Sequence, residues 1–256
     1  YKNVYLDVIS LRDDMLRPDL PRVRKILPPV FLPSSELSGE QKNSDTQGNV
    51  NIEDQKVPNS TTCIGTHLET SKSANKPIKL GFFGQFRKEK NIERFIDAFV
   101  SLNYDDSVQL VVQGATVKPE DGALFESIIK KYSQYNNIKF IHASLIGKDW
   151  DTALLSVDAL LLPYGAERYR YHWAAMLFTA IGFYKPVLIS PEINPEVLEQ
   201  YSIGEFLNLD DVNTIRQGIQ KFVQNLQHNK EQYNQGLMNA NEDYSHRALI
   251  QSILNV

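Results

Sequence analysis

From Ile78 onward the chain repeats one unit, a short run that is almost continuously apolar followed by a longer stretch whose apolar residues recur every three or four positions. "IKLGFFG" precedes Ile92, Phe95, Ile96 and Phe99, and "SVQLVVQG" precedes "GALFESIIKKYSQY". "NIKFIHA" precedes a short helix near "DWDTALLS", and "DALLLPYG" precedes the buried helix "WAAMLFTAIGFY". "KPVLIS" is a fifth apolar run and "EFLNL" a candidate sixth. Strands that are apolar throughout have both faces covered, and the helices between them supply the crossovers that parallel neighbours need. The expected fold is therefore α/β, a Rossmann-like parallel sheet with helices on both faces. Such a sheet binds ligands outside the carboxyl ends of its strands. That rule selects the loops at residues 84–91, 113–119, 142–148 and 164–173.

The flanking regions read differently. Val212, Ile215, Ile219, Phe222 and Leu226 share one helical face, after which the chain is polar from Lys230 to the end. Near the start, "VYLDVIS" is a candidate strand, whereas the proline-broken "RKILPPVFLP" suits an irregular segment leaning on a neighbouring surface. Residues 34–76 contain no aromatic side chain and read as a flexible polar linker, unable to bury enough apolar surface to offset its ordering entropy. The "NST" sequon at Asn59 within it is read as a chance triplet.

Composition narrows the partners. A net charge of -4 excludes a broad basic face for nucleic acid, so any anion site has to be local. A single cysteine, Cys63, can form neither an internal disulfide nor a cysteine metal cluster, which fits a reducing, cytoplasmic setting. No apolar run has the length of a membrane span, and the first residues lack the plan of a signal peptide. Histidines at i and i+4, a P-loop, a G-x-S-x-G elbow and a G-x-G-x-x-G after the first strand are all missing, so no metal is expected.

The anion site is expected in the first loop, where Arg87, Lys88 and Lys90 crowd between Gly84 and a helix beginning near Asn91. The helix start presents free N–H groups and the positive end of its dipole. Gly84 lets the backbone approach a ligand, and Arg87 and Lys90 add a guanidinium fork and a point charge. The alternative is a solvated turn, and without ligand both side chains are expected to be solvated. Gln113 and Gly114 end the second strand, the glycine being explained by backbone geometry alone. His172 is either a donor to a phosphate or sugar hydroxyl or a partly buried helix-start histidine beside Trp173. Tyr164, Tyr169 and Tyr171 either stack on a sugar or pack their loop.

Taken in order, "GFFGQFRKEKNIERFIDAF", "QLVVQG", "NIKFIHA", "VDALLLPYGAERYRYHWAAMLFTAIGFYKPVLIS" and "IGEFLNLDD" resemble the C-terminal, donor-binding domain of retaining glycosyltransferases of the GT-B fold, the group often called family 4. The resemblance covers residues 78–226. It implies transfer of a sugar, with retention, from a UDP- or GDP-linked donor to a glycan, lipid-linked or protein acceptor. The nucleotide sugar is then a substrate and no cofactor is implied; peripheral membrane association is a further expectation. Lys90 matches the lysine that, with the glycine loop, embraces the diphosphate. The usual arginine of that loop falls at Gln85, and Arg87 would replace it from another direction. His142 lies where the family places residues near the nucleotide base. Two family glutamates, with seven residues between them, fall at Tyr171 and Thr179, so neither is present; Thr179→Glu is expected to tighten nucleotide binding. "PYGAERYRYHW" is closer to a branch with a P-Y…Y-x-x-R pattern, which turns Tyr164, Arg168, Arg170 and His172 toward the cleft and offers Glu167 as a replacement carboxylate. Residues 1–33 then read as an N-terminal segment, a remnant of the acceptor domain or a linker, and 77–256 as the nucleotide-sugar-binding domain with C-terminal helices. The competing class is a non-catalytic binding or regulatory module that has lost the glutamate pair.

Overall fold

A computed structural model describes residues 6–12, 14, 16, 23–34 and 76–254. Apart from its end residues Ser34 and Lys76, the expected linker lies outside them, as do Asn59 and Cys63. The strands are β1 Leu6–Ile9, β2 Val23–Ile26, β3 Ile78–Phe82, β4 Val108–Gln113, β5 Ile138–Ile141, β6 Ala159–Leu162, β7 Val187–Ile189 and β8 Gly204–Phe206. The helices are α1 Ile92–Val100, α2 Pro119–Tyr132, α3 Gly147–Leu155, α4 Ala175–Gly182, α5 Pro195–Gln200, α6 Val212–His228, α7 Lys230–Asp243 and α8 His246–Leu254.

Six strands form one parallel sheet in the order β5-β4-β3-β6-β7-β8, the doubly wound arrangement expected of the alternating pattern. All four residues of β6 are buried, and α1 buries Ile92, Phe95, Ile96 and Phe99, the stripe its periodicity marks out. The chain winds outward from β3 through β4 to β5, then returns to lay β6 on the other side of β3. Across this reversal only Leu80↔Ala159 and Gly81↔Leu160 are in register. The loops after β3 and β6 therefore face one another.

One expectation is corrected. The segment read as irregular contains β2, which runs parallel to β1 with Leu6 opposite Val23 and an Arg24–Asp7 ion pair at 2.8 Å. Its prolines begin only at Pro28, so the four residues of β2 keep the N–H groups a ladder requires. The remainder of the segment does lean on the domain. The Val30 N–H donates to the Tyr244 carbonyl at 2.9 Å, and the Phe31 ring stacks on Trp173 with centroids 6.0 Å apart. The polar stretch after Lys230 is helical: Tyr233, Leu237 and Ala240 of α7 recur at helical spacing and are buried. Its apolar residues are few but correctly phased.

Candidate functional site

The loops at residues 83–91 and 163–174 enclose a cleft of about 250 Å³, walled by Gln85, Arg87 and Lys90 on one side and by Tyr164, Arg168 and His172 on the other. Lys90 ends a single-turn helix, Lys88–Lys90, and Asn91 then takes a left-handed φ of 52° to turn the chain into α1. This geometry buries Lys90, 8% exposed, and corrects the expectation of a solvated side chain. Its ammonium lies 4.7 Å from the Tyr164 ring centroid and 5.7 Å from that of Phe82. Among the described residues it makes neither a hydrogen bond nor an ion pair. Burial, then the neighbouring Arg87 charge, pushes its pKa down to about 8, with Glu89 opposing.

Glu89 ties the two walls together. It accepts a hydrogen bond from Arg168, stands 3.9 Å from Arg87, and its carbonyl accepts from the Gly165 N–H at 3.1 Å. Arg87 also donates to the Gln85 side-chain oxygen at 3.0 Å, and the Arg168 guanidinium lies 5.0 Å from the Tyr169 ring centroid. The Tyr164 hydroxyl is buried without a partner among the described residues, and its pKa is raised by that burial. Three cations thus line the cleft, and the Glu89 carboxylate stands behind two of them. The surplus of positive charge suits a ligand with two or more anionic oxygens.

The remaining predicted residues are placed less directly. Gly84 has φ 108°, a conformation open to glycine, and its N–H donates to the Gln113 side-chain oxygen at 2.8 Å while the Gln113 amide donates to the Ala143 carbonyl at 2.5 Å. Gln113 therefore fixes the glycine loop from beneath. Gly114 has no left-handed φ. Glycine is required there because a Cβ would come within 2.9 Å of the Phe125 ring, which corrects the backbone explanation.

His142 lies outside the cleft walls, with Glu126 at Nδ1, Thr116 Oγ1 3.0 Å from Nε2, and the Phe125 ring perpendicular to its own with centroids 5.1 Å apart. Thr179 is buried in α4 and its hydroxyl donates to the Ala175 carbonyl at 2.9 Å, so it does not reach the cleft. Glu167 is exposed. Arg170, Tyr171 and His172 border a second, smaller cleft of about 90 Å³ against residues 8–12, and His172 is common to both.

Sequence reasoning missed Glu89, treated as part of a charge run, and the Trp173, Ala174, Ala175 and Met176 wall, read only as the start of a buried helix. A lone acid among four charges is the signal that was there for Glu89. Among the described residues no group of His, Cys, Asp and Glu could hold a metal ion, and no helix is long and apolar enough to cross a membrane.

Comparisons with known proteins bear on the fold and the family. The C-terminal domain of a glycosyl transferase group 1 family protein (LpcC) from Francisella tularensis superposes with a TM-score of 0.54 and 18% identity, covering 66% of this chain and 87% of that one. Anabaena Alr3699/HepE, solved with UDP, gives 0.58 and 16%, covering 71% and 48%. A glycosyltransferase from Rickettsia africae gives 0.60 and 10%, covering 91% and 56%. The chain spans about half the length of these last two proteins. No curated protein matches the sequence. A family profile described as "Glycosyl transferases group 1" matches residues 66–237. Since that match takes in the sheet, both cleft loops and α6, the chain belongs to the glycosyl transferases group 1 family, with the Rossmann-like fold of a GT-B C-terminal domain.

Proposed function

We propose that this chain binds a UDP- or GDP-linked sugar with its diphosphate between Lys90, Arg87 and Arg168, and serves the transfer of that sugar, with retention, to a glycan, lipid-linked or protein acceptor in the cytoplasm. The observation that carries the reading is the buried Lys90 ammonium, unpaired among the described residues. Removing an ammonium from water without a counter-charge costs several kcal/mol, and an arriving diphosphate supplies that charge. Relatives support the reading: Anabaena Alr3699/HepE has been solved with UDP and with UDP-glucose, and WaaG takes part in lipopolysaccharide biosynthesis.

In the transfer the bond between the sugar's anomeric carbon and the diphosphate oxygen breaks, the departing diphosphate keeps the electron pair, the anomeric carbon bonds to the acceptor's nucleophilic atom, and the acceptor's proton passes to the departing diphosphate. Fixed cations stabilise that developing charge with little reorganisation at the moment of reaction. Lys90 and Arg87 are the groups proposed for this role. Arg168 would reach the diphosphate from the opposite wall, where Tyr164 and His172 are proposed for the sugar and ribose side.

One observation favours the second reading, a binding module without turnover. Thr179 occupies a family glutamate position with its hydroxyl committed to its own helix. Isothermal titration with UDP, GDP, UDP-glucose and GDP-mannose, paired with an assay for released nucleotide, separates the two. Binding with turnover supports transfer, binding without turnover supports the module, and no binding to any of the four sinks both.

A further inference from the structure

We infer that Asn194 is a positioning residue that sets the sugar-side wall of the cleft, an inference that rests on the donor-binding reading above. Asn194 sits on the loop between β7 and α5, 3% exposed, with a left-handed φ of 40°. Asparagine is one of the few side-chain-bearing residues that tolerates this conformation. Its side-chain oxygen accepts from the Ala174 N–H at 2.8 Å, and its amide donates to the His172 carbonyl at 3.4 Å. Both ends of one buried amide thus grip the two residues that flank Trp173.

That grip falls where the local sequence is weakest. Ala174 is the N-cap of α4, and an alanine there has no side-chain oxygen to accept from its own helix's first amides. The Ala174 N–H is held from another loop instead. Within the segment so held, His172 and Trp173 are wall to both clefts: Lys90 and Tyr164 line the one and residues 8–12 the other. Asn194 touches the second cleft itself but not the first. Its effect on a donor therefore passes through the position of His172 and Trp173. Lys90 and Arg87, on the opposite wall, hold their places by other contacts.

The test is Asn194→Gly, because glycine accepts the left-handed backbone and removes only the clamp. In the ligand-free protein, hydrogen exchange at the Ala174 amide is expected to quicken at least tenfold while the melting temperature stays within a few degrees. Unchanged exchange overturns the inference, whatever the protein binds. In titrations, the variant is expected to keep UDP and GDP affinity within about threefold of the native protein and to lose tenfold or more for UDP-glucose or GDP-mannose, whichever the native protein binds. A parallel loss for nucleotide and nucleotide sugar together with a fall in melting temperature overturns positioning in favour of a purely structural role. Equal affinities for both overturn it too. If the native protein binds none of the four, the donor reading fails, while quickened exchange would still establish Asn194 as the clamp on this wall.

Discussion

Lys90 carries opposite consequences for stability and for binding. Its folded pKa, about 8, lies below the ordinary 10.5, so between those values the unfolded chain holds more protons and stability rises with pH. Below pH 8 both states are protonated and the burial penalty is complete. The rise across the window is at most about 3 kcal/mol, from 1.36 kcal/mol per pKa unit. Lys90→Met should abolish it, seen as the difference between native and variant in urea unfolding at pH 7 and pH 10. At pH 7 the variant should match or exceed the native stability while losing nucleoside-diphosphate binding. Native affinity should fall as pH rises through 8. Arg87→Ala should weaken binding by roughly 1.5–3 kcal/mol, the scale of a hydrogen bond to a charged group. Lys88→Ala, at an exposed position, should cost under about 0.5 kcal/mol in the same titration. Thr179→Glu no longer promises tighter binding. It places a carboxylate where a hydroxyl already bonds within the helix, and thermal melts should show a loss of about 3 kcal/mol or more. The sequence marked Lys90 as cationic and well placed, but its burial depends on Tyr164, some seventy positions away, which no local pattern reports.

At the scale of elements, periodicity was clearest at β4, β6 and β7, which are wholly or almost wholly buried, and at α1, which buries a full stripe, because burial of a face is what writes a period into a sequence. It did not mark β2. β2 has one buried residue, Ile26, and so produces no strong apolar signal. The segment at residues 28–33 illustrates a contact with no periodic signature. It crosses α4 at Gly182, where an added Cβ would stand 2.1 Å from the Phe31 carbonyl oxygen. Gly182→Ala should therefore displace the segment and destabilise the protein by about 1–3 kcal/mol, the range for overpacking, as read by denaturant unfolding. Trp173, stacked on Phe31, should show a shifted fluorescence emission in the same variant.

For the whole molecule, strand order was not readable from the pattern of elements, which is equally compatible with several doubly wound arrangements. It became visible only with the pairing of β3 to β6. The site was readable as a set of loops at one edge of the sheet, and the cleft wall takes in Gln85, Arg87, Lys90, Tyr164, Arg168 and His172 but not Arg170 or Tyr171, because sequence cannot say which way a loop side chain turns. With a net charge of -4 and a locally cationic cleft, diphosphate affinity should weaken only severalfold between 50 and 500 mM salt, since a cleft is less screened than an open surface. The β3–β6 pairing has a mechanical side. Two register pairs join the halves of the sheet there, against five between β3 and β4, and the cleft straddles that narrow seam. A diphosphate held by Lys90 on one half and Arg168 on the other would act as a cross-brace. Slower amide exchange at Gly81 and Leu160 on saturation with UDP is the mark it should leave.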